Sequence, residues 1–481
     1  MRGIVWFRRD LRLHDHPALT AAAAECEDVL PLFVFDEPLL ATRTFGGACV
    51  NFMLGSLAEL ADALAKRGCP LQWYLGVPVD VVARVAREWN ADVVYWNRDY
   101  EPGALERDRI VAQRLSESGV TVKTFKDHVV FEADEIRSAT GDPLQRYSAY
   151  RTRWWAAWHA MKPTALPAPS RLGSARGSCS PPAPLPTAVE LGYEAVRPWI
   201  EPGEAAALKR LDRFVSAALH RYVDGRNQPA VDGSSCLSPH FRFGTLSPRT
   251  AVQAALDALA KGGRVSRPDV LTWVDELIWR EFFQQVLAAF TRVAAGPFRN
   301  AAVPPPREAG PEYDRLFESW CAGRTGYPIV DAGMRQLNST GWMHNRVRMI
   351  VASFLIKDLR LDWRSGERYF MHHLLDADLA ANNGNWQWCA GTGTDAMRGY
   401  RIFNPVLQGK KFDPDGSYVR HYVPELARVP AARIHEPWMM SESEQACFGC
   451  RPGLDYPAPI IDHATARAEY LALGERVKAS R

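Results

Sequence analysis

VLPLFVF, Val29 to Phe35, is an unbroken apolar run of strand length, and the chain around it repeats the pattern. GIVWF (Gly3 to Phe7), LQWYL (Leu71 to Leu75), ADVVYW (Ala91 to Trp96) and VTVKTF (Val120 to Phe125) read as further buried strands. Amphipathic stretches such as Cys49 to Lys66 and Val79 to Trp89 lie between them. Strand and helix alternating at this interval predict a parallel, Rossmann-like α/β sheet over residues 1–135. No G-x-G-x-x-G follows any of these runs, so a dinucleotide phosphate cradle is not expected here. A pocket at the carboxyl ends of the strands stays open, because open α/β sheets bind ligands there.

Past this region the composition shifts. KPTALPAPSRLGSARGSCSPPAPLP, Lys162 to Pro186, is too rich in Pro, Ala, Ser and Gly for a regular element and predicts an extended linker. It sits within a connecting stretch over residues 136–200. From about Glu201 the period becomes helical. Trp342, Val347, Ile350, Val351, Phe354 and Leu355 recur at three- and four-residue steps, and Ala205 to Leu219 and Leu271 to Phe290 behave alike. Residues 201–481 therefore read as all-helical, without internal repeats.

Composition sets the outer bounds. The chain has 481 residues, enough for two or three domains. With 47% hydrophobic and 23% charged residues it falls outside the disordered, collagenous and fibrous classes. No apolar run approaches the ~18 residues of a membrane span, and the start, MRGIVWFRRDLRLHD, turns charged too early for a secretion signal. The formal net charge of +3 selects no partner. Nine Cys, an odd number with no signal peptide, imply a reducing, cytoplasmic setting. No metal is expected: Cys447 and Cys450 form a lone C-x-x-C, and His14/His16 and His372/His373 have the wrong spacing for one helix face. The 16 Trp are the unusual feature, more than twice the usual share of roughly 1.3%.

Several polar residues in the helical region resist a purely structural reading. Glu276, Trp279 and Arg280 share a helix face at i, i+3, i+4, which a salt bridge beside a core Trp would also explain. Asn345, Arg348 and Met349 share another face, with Arg346 on its flank. In HHLLDADLAANNGNWQWCAGTGTD, Asp376, Asp378, Asn382, Asn383 and Asn385 crowd around Trp386 and Trp388. Buried without a partner they would be unsatisfied, and a polar ring-bearing ligand would satisfy them. In VDGSSCLSPHFRFGTLSP, Ser234, Ser235, Ser238 and Thr245 gather ahead of a helix, an arrangement that suits an anion such as pyrophosphate. From Arg335 to His373, seven basic residues (Arg335, Arg346, Arg348, Lys357, Arg360, Arg364, Arg368) outnumber Asp358, Asp362 and Glu367 among interleaved aromatics. That suits a nucleic-acid backbone with an exposed base, although a solvated helix face would look the same.

Three longer strings settle a resemblance. WFRRDLRLHDHPAL, then GRTGYPIVDAGMRQLNSTGWMHNRVRMIVASFLIKDLRLDWRSGERYFM, then DADLAANNGNWQWCAGTGTDA followed by RIFNP are similar to the DNA photolyase/cryptochrome family, from residue 1 to about 465. Within it the chain most resembles bacterial cyclobutane pyrimidine dimer photolyases. The (6-4) enzymes carry a His pair near Asn345 and Met349, and this sequence does not.

The resemblance implies an N-terminal α/β domain for an antenna chromophore and a helical domain holding a U-shaped FAD. Tyr222, Ser234, Ser235, Cys236, Leu237, Ser238, Trp273, Arg280, Arg348, Asp376, Ala377, Asp378 and Asn382 would line the FAD, with Asn382 facing the flavin nitrogen that exchanges a proton. Glu276, Trp279, Asn345, Arg346, Met349 and Trp388 would form the lesion pocket, and Arg226, Arg401 and Gln408 would contact DNA. The reaction implied is dimer splitting by an electron lent from light-excited reduced FAD (FADH⁻), with Glu276 stabilising the dimer that has received it. Trp386 and Trp363 match the inner and middle members of the family's electron-donor chain, whereas Gly310 stands at the outer member's place and Tyr313 lies nearby. Cys236 replaces the family's Arg, and Asn385 its second Gly. Gly103 and Ala104 replace the Asn-Glu of folate-binding members, leaving a deazaflavin, a second flavin or an empty antenna pocket open alongside folate. The implied partner is UV-damaged DNA, met by a monomer in the cytoplasm, at the nucleoid when bound, with no membrane involved. The alternatives from other classes are a cryptochrome-type light receptor without repair and a non-catalytic flavoprotein or single-strand binder.

Overall fold

The computed structural model describes residues 1–173, 183–299, 303–396 and 401–480. Five strands form the N-terminal sheet: β1 (Arg2–Phe7), β2 (Asp28–Asp36), β3 (Gln72–Gly76), β4 (Val93–Asn97) and β5 (Thr121–Phe125). Their order is β3-β2-β1-β4-β5, and every pairing is parallel, with Gly3 beside Val29 on one side and Val93 on the other. All five expected strands are present, displaced by no more than two residues. Helices Gly47–Ala65, Pro78–Glu88 and Pro102–Glu117 form the crossovers that parallel pairing requires. One face of the sheet packs Ile4, Trp6, Leu32, Val94 and Trp96 against Val82, Val85, Val111 and Leu115, with Trp6 and Trp96 edge to face at 5.6 Å.

The helix Gly47–Ala65 is long and apolar enough to cross a bilayer by length and composition, although Asn51, Ser56, Glu59 and Asp62 interrupt its apolar run. Its Phe52, however, is buried against Phe243 (5.6 Å) and His240 (5.3 Å), which makes it a core helix of the α/β region.

Packing divides the chain into two compact units: Met1–His220 with Ser235–Ala294 and Leu375–Ala381, and Arg221–Ser234 with Ala295–Leu374 and Asn382–Arg481. The first unit thus combines the sheet with helices Glu204–Ala217, Pro248–Lys261 and Arg267–Ala289. A buried ion network ties the loop after β1 to these helices. Arg12 donates to Asp127 at 2.5 Å, and Arg249 reaches Asp127 at 2.8 Å and Asp15 at 3.0 Å. The connecting stretch 136–200 is partly regular, since Tyr147–Met161 is a helix. Within Lys162 to Pro186 the described residues form no helix or strand, and residues 174–182 lie outside the described residues. The second unit is helical, including Pro328–Thr340, Asn345–Ser353, Trp363–His373, Leu379–Ala390 and Pro405–Phe412. Only an isolated bridge, Pro452 to Tyr456, departs from that among its described residues.

Candidate active site

The sequence candidates fall on both units, and each group has its own support. In the first unit, Glu276, Trp279 and Arg280 lie on the helix Arg267–Ala289, whose start is fixed by Ser266 accepting from the Asp269 amide. Three-residue spacing sets Glu276 and Trp279 on one face. The Trp279 indole is stacked on Tyr147 at 3.5 Å between centroids and only 6° between planes. Tyr147 is held in turn: its hydroxyl donates to the Asp275 carbonyl at 2.9 Å, and Arg151 pairs with the Asp275 carboxylate at 2.6 Å. Tyr147 escaped the sequence reading, although Tyr147, Tyr150, Trp154 and Trp158 form an aromatic stripe at helical spacing.

Arg280 is anchored to His128, donating to its carbonyl at 2.8 Å and meeting its ring at 2.7 Å. Burial, with Arg280 and Arg9 alongside, pushes His128 down to about 3, so its ring is neutral. Asp378 is committed to the protein as well. Its Oδ1 accepts from Gln284 and the Ala381 amide, each at 3.0 Å, and its Oδ2 takes Arg9. Burial alone would raise this carboxyl, yet Arg9 and its hydrogen-bonded neighbours hold it well below the usual carboxylate range. In the strip Asp376 to Asp378, Asp378 therefore braces the backbone. The same network borders a small, polar cleft at the carboxyl ends of β1 and β4, lined by Arg8, Arg9, Asp10, Asn97, Arg98, Asp99, Asp127 and His128.

The hydroxyl loop is only partly as expected. Ser235 is half-buried and Ser238 exposed at the first turn of Ser238–Phe243, with Cys236 in the left-handed region at φ 48°. Thr245 does not join them, because it is buried with its Oγ1 2.8 Å from His240 Nδ1. Trp273 packs against Phe214 at 5.0 Å, close to fully buried.

In the second unit, Arg346 makes contacts that join several candidate residues. It donates to Asn227 Oδ1 at 2.6 Å and to the Met349 sulfur at 3.6 Å, and its guanidinium sits 4.5 Å above the Phe412 ring. Helix Asn345–Ser353, the segment after Tyr222–Gly225 and helix Pro405–Phe412, which carries Gln408, are thereby brought together. Arg226 lies over the Tyr222 ring at 5.6 Å. The backbone also folds back closely here: a Cβ on Gly233 would stand 2.7 Å from the Gly225 carbonyl oxygen. Arg348 donates to the Met343 carbonyl at 2.8 Å.

The expected basic face is a correction. Lys357 is fully buried in the π-turn Phe354–Asp358, donating to the Arg401 carbonyl at 2.6 Å, and burial lowers it to about 8. Arg335 pairs with Glu425 and Arg364 with Asp362. Lys357 instead steadies the backbone of the DNA-contact candidate Arg401, whose side chain is exposed. Cys447 and Cys450 belong to a helix end: Ser441 and Glu444 form a capping box at the start of Glu442–Phe448, and Gly449 closes it at φ 65°.

Asn382, Trp386 and Trp388 share the helix Leu379–Ala390. The Asn382 side-chain N–H donates to the Glu367 carbonyl at 2.9 Å, and among the described residues its Oδ1 accepts nothing. An amide oxygen so placed fits a ligand N–H, which is what a reduced flavin ring offers. Trp386 is seated because position 366 is Gly: a Cβ there would lie 2.2 Å from the indole. Trp363 is half-buried.

A five-stranded parallel sheet followed by a helical region with these groups defines a class, and two family models agree. Residues 3–170 match DNA photolyase, and residues 273–476 match the FAD binding domain of DNA photolyase. The chain belongs to the DNA photolyase family. It is 39% identical to the deoxyribodipyrimidine photo-lyase of Synechococcus sp. over 99% of this chain and 97% of that one, and 37% identical to that of Escherichia coli over 99% and 98%. A bacterial class III photolyase from Agrobacterium tumefaciens superposes with a TM-score of 0.88 at 37% identity, covering 99% of this chain and 98% of that one. A cryptochrome from Synechocystis superposes at 0.89 with 32% identity, covering 98% and 99%. Fold alone therefore does not separate repair from light sensing.

Proposed function

We propose that this protein repairs cyclobutane pyrimidine dimers in DNA, using FAD and light. Bound FAD in its reduced form supplies one electron to the dimer on absorbing blue or near-UV light and recovers it once the ring has split. The chain's own residues recognise, orient and polarise. A dimer is weakly paired within its duplex, so extruding it costs little. In the first unit Trp279, backed by Tyr147, offers an apolar wall to the extruded dimer; in the second unit Trp388, Asn345, Arg346 and Met349 are the residues that meet the lesion. Glu276 bonds the pyrimidine carbonyl edge and stabilises the charge that develops there. Asn382 holds its oxygen toward the flavin N–H, and Arg348, Tyr222, Asp376, Ala377, Trp273 and the loop Ser234 to Ser238 hold the cofactor. Arg280 and Asp378 support that pocket through His128 and Arg9. Arg226, Arg401 and Gln408 contact the DNA, and the protein works as a cytoplasmic monomer that joins the nucleoid on binding damage.

The observation that carries repair over sensing is the face bearing Glu276 and Trp279, an acid beside an indole that is already stacked and braced. The test mixes purified, reduced protein with dimer-containing oligonucleotide. Dimers are expected to vanish in blue light and persist in darkness, and persistence in both would refute the reading. A second test addresses the wall. Trp279→Ala is expected to weaken dimer-DNA binding by about 10- to 100-fold, the loss of ~1–3 kcal/mol of stacking, and to leave undamaged DNA unaffected. Equal weakening on both DNAs in a fluorescence titration would show that Trp279 does not read the lesion.

A further inference from the structure

The helix Asn345–Ser353 runs on into the π-turn Phe354–Asp358, which closes where the Leu359 amide donates to the Phe354 carbonyl, five residues back, at 3.0 Å. Two adjacent and opposite charges in this turn, Lys357 and Asp358, are both buried. They serve different neighbours. On one side, Lys357 Nζ donates to the Arg401 carbonyl at 2.6 Å, and the Phe403 amide donates to Ser353 Oγ at 3.5 Å. The segment 401–403 is therefore clipped at both ends. Phe403 is buried, and the guanidinium of the exposed Arg401 lies 5.5 Å from its ring. On the other side, Asp358 Oδ1 meets Nδ1 of His463 at 2.5 Å, in the first turn of the helix His463–Ala479. Tyr327 packs on Phe354 at 5.0 Å between ring centroids; its hydroxyl donates to the Ile461 carbonyl at 2.8 Å and accepts from the His463 amide at 3.2 Å. One turn thus seats both a DNA-contact candidate and the start of the helix His463–Ala479.

We propose that this turn is a positioning device for DNA binding: His463 holds Asp358, the Lys357 ammonium stays committed to the Arg401 carbonyl, and the exposed Arg401 guanidinium is thereby presented to a DNA phosphate. The proposal rests on the reading of Arg401 as a DNA contact, and Lys357, Asp358 and His463 are positioning residues that act through it. Among the described residues Asp358 Oδ2 is buried with no hydrogen-bond partner, so the carboxylate depends on His463 and on the charge beside it. Burial raises its pKa to about 6, while His463 and Lys357 oppose the rise. Without His463, Asp358 would have to draw on Lys357, because a buried charge left alone is costly. The ammonium would then swing from the Arg401 carbonyl to the carboxylate, and that carbonyl would lose a charge-assisted hydrogen bond. A segment held only at its Phe403 end leaves Arg401 spread over many positions, and the entropy of fixing it then opposes DNA binding. With the clip closed, that ordering is already complete in the folded protein.

Fluorescence-anisotropy titrations of the FAD-loaded protein with dimer-containing and undamaged duplexes, at several salt concentrations, test this. Arg401→Ala should lose one phosphate contact, seen as a slope of log K against log salt that is smaller by about one. Lys357→Met and His463→Ala should each reduce the slope in the same direction and weaken binding of both DNAs by roughly three- to tenfold. Their repair per absorbed photon at saturating DNA should stay at the wild-type value. In the double variant His463→Ala/Arg401→Ala, binding should be no weaker than in Arg401→Ala alone, because both substitutions act on one contact. His463 is only half-buried, so its variant decides the matter if Lys357→Met does not fold. Three results would overturn the proposal: a wild-type slope in Lys357→Met or His463→Ala beside a reduced one in Arg401→Ala, losses that add in the double variant, or a lower repair yield at saturating DNA. A wild-type slope in Arg401→Ala itself would instead show that Arg401 is not a DNA contact, and the underlying reading fails.

Discussion

Glu276→Ala is expected to keep its flavin and lose most of its repair per absorbed photon. Glu276 is half-buried on the helix Arg267–Ala289, where an acid can reach a carbonyl edge without the full cost of burying a charge. Its neighbour Arg280 is independently anchored on the His128 carbonyl at 2.8 Å and the Phe241 carbonyl at 3.3 Å, so the flavin side of the face should survive the substitution. A hydrogen bond to a developing charge contributes about 1.5–3 kcal/mol, which translates to roughly a 10- to 100-fold change in the competition between ring splitting and futile electron return. Glu276→Gln, which can still donate, should fall between the two. Quantum yields measured at matched flavin occupancy check this, and an unchanged yield in Glu276→Ala would remove Glu276 from the mechanism.

Glu281→Ala should produce the largest loss of stability. Five residues along the same helix, this carboxyl is buried and accepts from four donors: the Val130 amide at 2.5 Å, the Phe131 amide at 3.1 Å, Tyr150 Oη at 3.0 Å and Trp154 Nε1 at 2.8 Å. It therefore joins the loop after β5, the helix Tyr147–Met161 and the helix Arg267–Ala289. Burial pushes the acid up to about 7, and the four hydrogen bonds oppose that rise. Truncation leaves four buried donors unanswered, at about 1–3 kcal/mol each before any water enters, so a loss of about 4 kcal/mol or more is expected. Urea unfolding measures it, and a change below about 1 kcal/mol would mean that these donors find other partners.

The contrast between Glu276 and Glu281 also shows what could be read in advance. Both acids sit on one predicted helix, and the i, i+3, i+4 pattern drew attention to the first. The second has partners about 130 to 150 residues away, and no local pattern announces them. The pairing of Asp378 with Arg9 was hidden for the same reason: the two are 369 residues apart in sequence. Lys357 looked like surface charge because a local count cannot see that its ammonium is spent on a backbone carbonyl. The five strands were legible because a parallel sheet covered on both faces needs continuous apolar runs, and those runs are local. Their order in the sheet was not, since it depends on which way each crossover turns. The stack of Tyr147 on Trp279 was hidden likewise, although both rings belong to helices with recognisable stripes.

The most direct test of the central claim, an electron lent and returned, is a single-turnover flash experiment on the reduced protein with dimer DNA bound. The account predicts that each productive flash removes one dimer while the flavin absorption returns fully to that of the reduced form, with no dimer lost in the dark control. Dimer loss in darkness, or repair that leaves the flavin oxidised in proportion to the dimers split, would contradict it.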